Sequence, residues 1–261
     1  MAFVIGNIVK GLYNAVFRPA ALVTVPTGGP DRSLPAKVDQ AFRLGIVYLV
    51  NLTLYAGPLT VAGIGIGSGQ SIPPWLAGFT GAEPGALLRF LAGVVQNSLY
   101  LLGITVATLV GAHIALVITL QSKGFLRTAH SVVYSTSIYL AGIFTVVWYL
   151  TSAEGVATAR EFVINVQVAF IYWMIDLTES DLVFGIDRPD VIVPGEFSTT
   201  GEYAIIVLAL LLIYYFYSLY LGTRLNHDAG RFEGVLVVLI VILLPITYVI
   251  GSIILATIQS G

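Results

Sequence analysis

Residues 90 to 150 hold two long apolar runs joined by a short polar stretch, Gln121 to His130, and this arrangement constrains the fold more than any other feature of the chain. Neither Phe90 to Leu120 nor Ser131 to Leu150 contains an Asp, Glu, Lys or Arg. Each run is long enough to cross a hydrocarbon layer of roughly 30 Å at about 1.5 Å per helical residue. Unpaired backbone amides are costly in lipid, so such runs are expected to be helices, with the polar turn in water or among headgroups. Lys123 and Arg127 assign that turn to the cytoplasmic side, because basic residues are retained there.

The rest of the chain follows the same pattern. It is 57% hydrophobic and 10% charged, where a soluble domain carries about 25% charged residues. The expected fold class is all-α, a polytopic helical membrane bundle in one domain covering residues 1–261, too short to add a separate soluble catalytic unit. The absence of cysteine excludes disulfides, thiol nucleophiles and thiolate metal sites. The N-terminus lacks the basic start and small-residue cleavage site of a signal peptide, so it is expected to stay attached.

Taken in order, residues 2–18 place Val4, Ile5, Ile8, Val9, Leu12 and Val16 at helical spacing among Asn7, Lys10 and Asn14, as in a helix lying at the membrane interface. Pro19 is expected to end it, and the Pro- and Gly-rich stretch from Val25 to Ala36 is expected to be a loop. Five spans are expected at about 44–65, 92–120, 131–150, 203–221 and 235–258, with Pro58 and Pro245 kinking the first and last. The triplet Gln96-Asn97-Ser98 marks turns that lie in headgroups or against protein. Residues 151–202 form an external insertion between spans three and four. Within it Phe162 to Ile175 is apolar but short for a crossing: an interfacial helix, a re-entrant piece or a strand all fit, and a helix at the interface or packed on the bundle is the expectation.

With five spans starting inside, Lys10, Arg18, Arg32, Lys37, Arg43, Lys123, Arg127, Arg224 and Arg231 lie in the cytoplasm, nine of the 12 basic residues. Arg89, Arg160 and Arg188 lie outside with most of the acids. This asymmetry supports a cytoplasmic N-terminus and an external C-terminus, in the plasma membrane if the source is prokaryotic.

Several short stretches resemble the Yip family, the Rab-GTPase-interacting membrane proteins and their prokaryotic relatives. They are Gly111-Ala112-His113, Lys123-Gly124-Phe125 with Thr128, Val132-Val133-Tyr134-Ser135, and Tyr217-Ser218-Leu219-Tyr220-Leu221-Gly222 followed by Leu225 and His227; Phe17-Arg18-Pro19 is a weaker echo. The resemblance implies a five-helix membrane domain with a cytoplasmic N-terminus that acts by binding partners. The long segment from Thr151 to Glu202 departs from the family, where the corresponding segment is short.

Two constellations invite chemistry. Lys123, Arg127, His130, Arg224, His227 and Arg231 cluster at the two cytoplasmic turns, where a basic rim would hold anionic lipid headgroups or a protein partner. Asn97 and His113 lie within the second span, where polar groups are costly and serve either a path for solute or hydrogen bonds between helices. Asp176, Glu179 and Asp181 supply carboxylates but lack the spacing of a calcium loop, so no metal is expected. No nucleophile elbow, cofactor motif or basic–aromatic nucleic-acid patch occurs. The expectation is a non-enzymatic scaffold or accessory subunit that organises membrane proteins or lipids, its partner or second copy docking on the 151–202 insertion. The alternative is a small-molecule or lipid transporter or facilitator, with a polar path near His113 and Asn97 that Asn51, Thr105 and Thr108 would also line.

Overall fold

The computed structural model describes residues 13–14, 17–25, 34–61, 77–78, 85–143, 149, 152, 154–155, 168–177 and 199–260. Its main helices are α1 (Pro19–Val23), α2 (Leu34–Val61), α3 (Ala86–Ile118), α4 (Phe125–Ile143), α5 (Val168–Leu177), α6 (Thr199–His227) and α7 (Arg231–Ser260), and no strand occurs among the described residues. Three of them, α2, α3 and α6, are long and apolar enough to cross a membrane. α4 is shorter, at 19 residues, and α7 has 30.

α3 with α4 and α6 with α7 form two helical hairpins, and the backbone explains why each turn is short. At the end of α3 the Leu120 amide donates to the Val117 carbonyl (3.0 Å) and the Gln121 amide to the Leu116 carbonyl (2.9 Å). At the end of α6 the Ala229 amide donates to the Arg224 carbonyl at 3.2 Å. These are Schellman closures, which need a left-handed residue just past the helix. Leu120 (φ 57°) and Asp228 (φ 51°) occupy those positions, although glycine is the residue that adopts them without steric cost.

The hairpins pack with α4 against α6, α3 against α7, and α2 against both α3 and α4, while α1 lies on α4 and α6. Ala112, Ala115 and Leu116 of α3 meet Val132 of α4, Leu219 of α6 and Val237 and Val241 of α7 in the main apolar core, near the turns. Small residues permit this approach, as packing between membrane helices requires. A Cβ on Gly222 would stand 3.0 Å from the Ser131 Cβ, and one on Gly111 would stand 2.6 Å from Leu244 Cδ1. Outward, the helices expose Leu49, Val50, Leu99, Ile104, Ile206, Leu210 and Ile213, the surface a lipid-facing bundle presents.

Element boundaries depart from the expectation in a consistent direction. α2 starts ten residues before the expected span, with Pro35 in its first turn, where a missing amide proton costs nothing. α4 begins at Phe125 and α6 runs on to His227, because helical hydrogen bonding continues where the hydrophobic run stops. Pro19 begins a helix rather than only ending one: it is the first residue of the five-residue α1. Residues 2–12, 15 and 16 of the expected interfacial helix lie outside the described residues, as does most of the expected 151–202 insertion. Within that insertion α5 is a helix, its buried Met174 and Ile175 packed near Ile246 of α7, which matches the bundle-packed alternative.

Candidate functional site

The two turns meet at one end of the bundle, and the polar side chains there bond to one another across the hairpins. The C-terminal residues of α6 supply the centre. Asn226, 2% exposed, donates its amide to the Val23 carbonyl and to Ser131 Oγ, each at 2.8 Å, and accepts from the Val25 amide at 2.7 Å. Thr24 between them is extended (φ −78°, ψ 129°), so the carbonyl of Val23 and the amide of Val25 present themselves together to one side-chain amide. Val23 itself is fully buried in a cluster with Tyr134, Ile138, Tyr214 and Leu221. The segment after α1 is thereby fastened to α4 and α6.

His227 is next. Its Nδ1 accepts the Lys123 backbone amide at 2.9 Å, which fixes the tautomer: the proton must sit on Nε2. Nε2 then donates to Thr128 Oγ1 at 3.3 Å, and the same hydroxyl is hydrogen-bonded to His113 Nδ1 at 3.1 Å. A hydrogen-bonded chain thus runs from the α3–α4 turn through α6 to α4 and back to α3. His227 lies past the apolar stretch of α6, at the turn, and is completely buried. Burial, reinforced by the positive charge of Arg127 and the neighbouring His113 and Lys123, lowers its pKa to about 4, so the ring is neutral near neutrality.

The remaining residues of the expected basic rim divide between surface and interior. Lys123 pairs with Asp228 across the two turns, Arg127 Nη1 donates to the Asn226 carbonyl at 2.8 Å, and Arg231 is exposed at the start of α7. Arg224 donates to the Tyr220 hydroxyl at 3.2 Å and lies over that ring. His130 is buried with its ring 4.3 Å from that of Tyr134, so neither it nor His227 faces a membrane surface. Thr128, Ser131 and Asn226 were not named as site residues from the sequence. The only hint was the concentration of hydroxyl and amide residues at both turns.

The second constellation is not one site. Asn97 and His113 stand on the same helix about 24 Å apart by rise per residue. Asn97, 1% exposed, donates to Thr60 Oγ1 of α2 at 3.0 Å, while His113 belongs to the chain at the turns and meets Phe125 edge-on. Asn51 donates to the Val133 carbonyl of α4 at 3.1 Å, and the Tyr215 hydroxyl bonds Thr108 and Thr136. Asp176 is exposed on α5; Glu179 and Asp181 lie outside the described residues. Among the described residues no group of three or more His, Cys, Asp or Glu is placed to hold a metal.

Fold and composition together define the class, an all-helical membrane protein. Comparison with known proteins adds no narrower assignment: no family model, curated protein or solved structure matches the chain.

Proposed function

We propose that this chain is a non-enzymatic scaffold or accessory subunit of Yip type, crossing the membrane five times with its N-terminus and both hairpin turns in the cytoplasm, and organising other membrane proteins or lipids. The two spans beyond α2, α3 and α6 are the charge-free residues 131–150, which begin within α4, and residues 235–258 of α7, which carry no charged side chain either.

One observation carries the functional reading: several buried amide and ring side chains tie one helix to another. Asn51 holds α2 to α4, Asn97 holds α3 to α2, Tyr215 holds α6 to Thr108 and Thr136, and Asn226 and His227 hold the turns together. A facilitator would turn such groups toward a solute path, whereas amides bonded between helices rigidify a platform. The surface basic residues at the turns, Lys123 and Arg231, suit contact with anionic headgroups or an acidic partner segment.

The test is purification from the native membrane in mild detergent, with mass spectrometry of co-purifying proteins and lipids. A stoichiometric larger complex, weakened when Ala153–Glu202 is replaced by a short linker, is the expected outcome. A lone protein that carries a bound small solute would overturn the reading.

A further inference from the structure

The α6–α7 turn carries two arginines whose charge is not answered within the described residues. Neither Arg224 nor Arg231 makes an ion pair there, and the two acids beside them are engaged elsewhere. Asp228 pairs with Lys123 of the other turn, and Glu233 folds back over Gly230, where a Cβ would run into its carboxylate. Arg231 is exposed, whereas Arg224 is half-buried. The Arg224 stem crosses α7 at Gly234: a Cβ there would stand 2.8 Å from the arginine Cγ and equally close to the Tyr220 ring. Nε is enclosed in that cleft without a hydrogen-bond partner, and Nη1 is held by the Tyr220 hydroxyl at 3.2 Å. Nη2 is the nitrogen left to meet a ligand. A guanidinium fixed in this way, partly out of water and with no carboxylate beside it, calls for an anion from outside the chain.

The surroundings say which kind of anion. Arg231 precedes Gly234 by three residues, so it lies on the same face of α7, one turn nearer the start of the helix. Next to that face Phe232, Val235, Leu239 and Ile242 recur at spacings of three, four and three, and all four are exposed. The two guanidiniums therefore stand at the head of an apolar stripe that runs into the charge-free residues 235–258. An acidic peptide would answer the charge and leave the stripe bare. A phospholipid answers both, with its phosphate on the arginines and an acyl chain along the stripe. Guanidinium nitrogens match phosphate oxygens in geometry, and a long stem with a tyrosine beside it suits the depth of the headgroups.

We propose that Arg224 and Arg231 bind the phosphate of an anionic phospholipid at the cleft between α6 and α7, with Phe232, Val235 and Leu239 against one of its acyl chains. The proposal rests on the reading that both turns face the anionic cytoplasmic leaflet, and it is independent of what docks on the 151–202 insertion.

The test uses the full chain, purified and stripped of lipid in detergent. Native mass spectrometry and thermal midpoints are read against added phosphatidylglycerol, phosphatidylcholine or inorganic phosphate. Phosphatidylglycerol should bind about tenfold tighter than phosphatidylcholine and raise the midpoint, while inorganic phosphate does neither. Arg231→Gln, at an exposed position, should keep the midpoint of the lipid-free protein and lose the preference. Arg224→Gln should lose it as well, and Arg224→Lys should retain part of it. Arg43→Gln, on α2 and paired with Asp39, should leave it intact. Equal binding of the two lipids, a preference that survives Arg231→Gln, or one that falls as far in Arg43→Gln would overturn the site. Protection by inorganic phosphate would make it a small-anion site and overturn the lipid assignment. Binding is read with no partner present, so its failure leaves the scaffold reading standing, and loss of a co-purified complex leaves the lipid preference standing.

Discussion

At the scale of single residues, Asn226 and His227 carry the largest consequences. Asn226→Ala leaves the Val23 carbonyl and the Val25 amide without their partner in a buried site, while Ser131 Oγ keeps its bond to the Arg127 carbonyl, a loss of about 2–3 kcal/mol in stability. The same variant should expose the Val25 amide to rapid hydrogen exchange, a local readout distinct from global loss of stability. His227 predicts a pH response whose sign follows from its lowered pKa. The unfolded chain binds a proton near pH 6.5, but the folded state refuses it until about pH 4. Stability contributed by the neutral ring is therefore complete above pH 6.5 and declines between there and pH 4, by about 3 kcal/mol for this one group. Thermal midpoints of the wild type should fall across that window more steeply than those of His227→Gln. Equal slopes would mean that the ring does not stay neutral in the folded protein. Neither residue's role could be read in the sequence. The partner of Asn226 lies 201 residues away, and a histidine near a turn looks the same whether its ring points outward or inward.

At the scale of elements, the helices were visible because charge-free apolar runs leave the backbone few alternatives in lipid. Their ends were not. Lys37, Asp39 and Arg43 end a hydrophobic run without ending a helix, so α2 extends well past the point where composition stops signalling it. The hairpin turns offer a direct test of the backbone argument. Leu120 is 90% exposed and held at φ 57°, so Leu120→Gly removes a left-handed side chain without removing packing. It should stabilise the protein by about 1 kcal/mol, read as a raised thermal midpoint. Gly222→Leu should do the opposite, since its side chain would enter Ser131 and force α4 and α6 apart, costing several kcal/mol by about the measure of overpacked cores. A neutral outcome there would mean that the α4–α6 contact is loose.

At the scale of the whole molecule, the two hairpins form one unit because their turns are bonded to each other. The Lys123 amide to His227, Arg127 to the Asn226 carbonyl and Lys123 to Asp228 all cross from one turn to the other. Charge asymmetry in the sequence led to the same pairing of turns on one side, by an independent route. The segment from Thr151 to Glu202 was the least legible part, because Phe162 to Ile175 is too short to be forced by lipid into one structure. Its longest described stretch is the packed helix α5. The polar ties inside the bundle join α2, α3, α4 and α6 to one another.

Topology is the property on which the whole account rests, and the absence of cysteine makes it directly measurable. Ser122→Cys and Phe232→Cys mark the two turns, and Glu202→Cys marks the opposite end of α6. In intact cells a membrane-impermeant maleimide should label Glu202→Cys alone, with the two turn positions reacting only after the membrane is opened. Labelling of Ser122→Cys and Phe232→Cys from opposite sides would contradict the account, because hydrogen bonds between the turns require both on the same side.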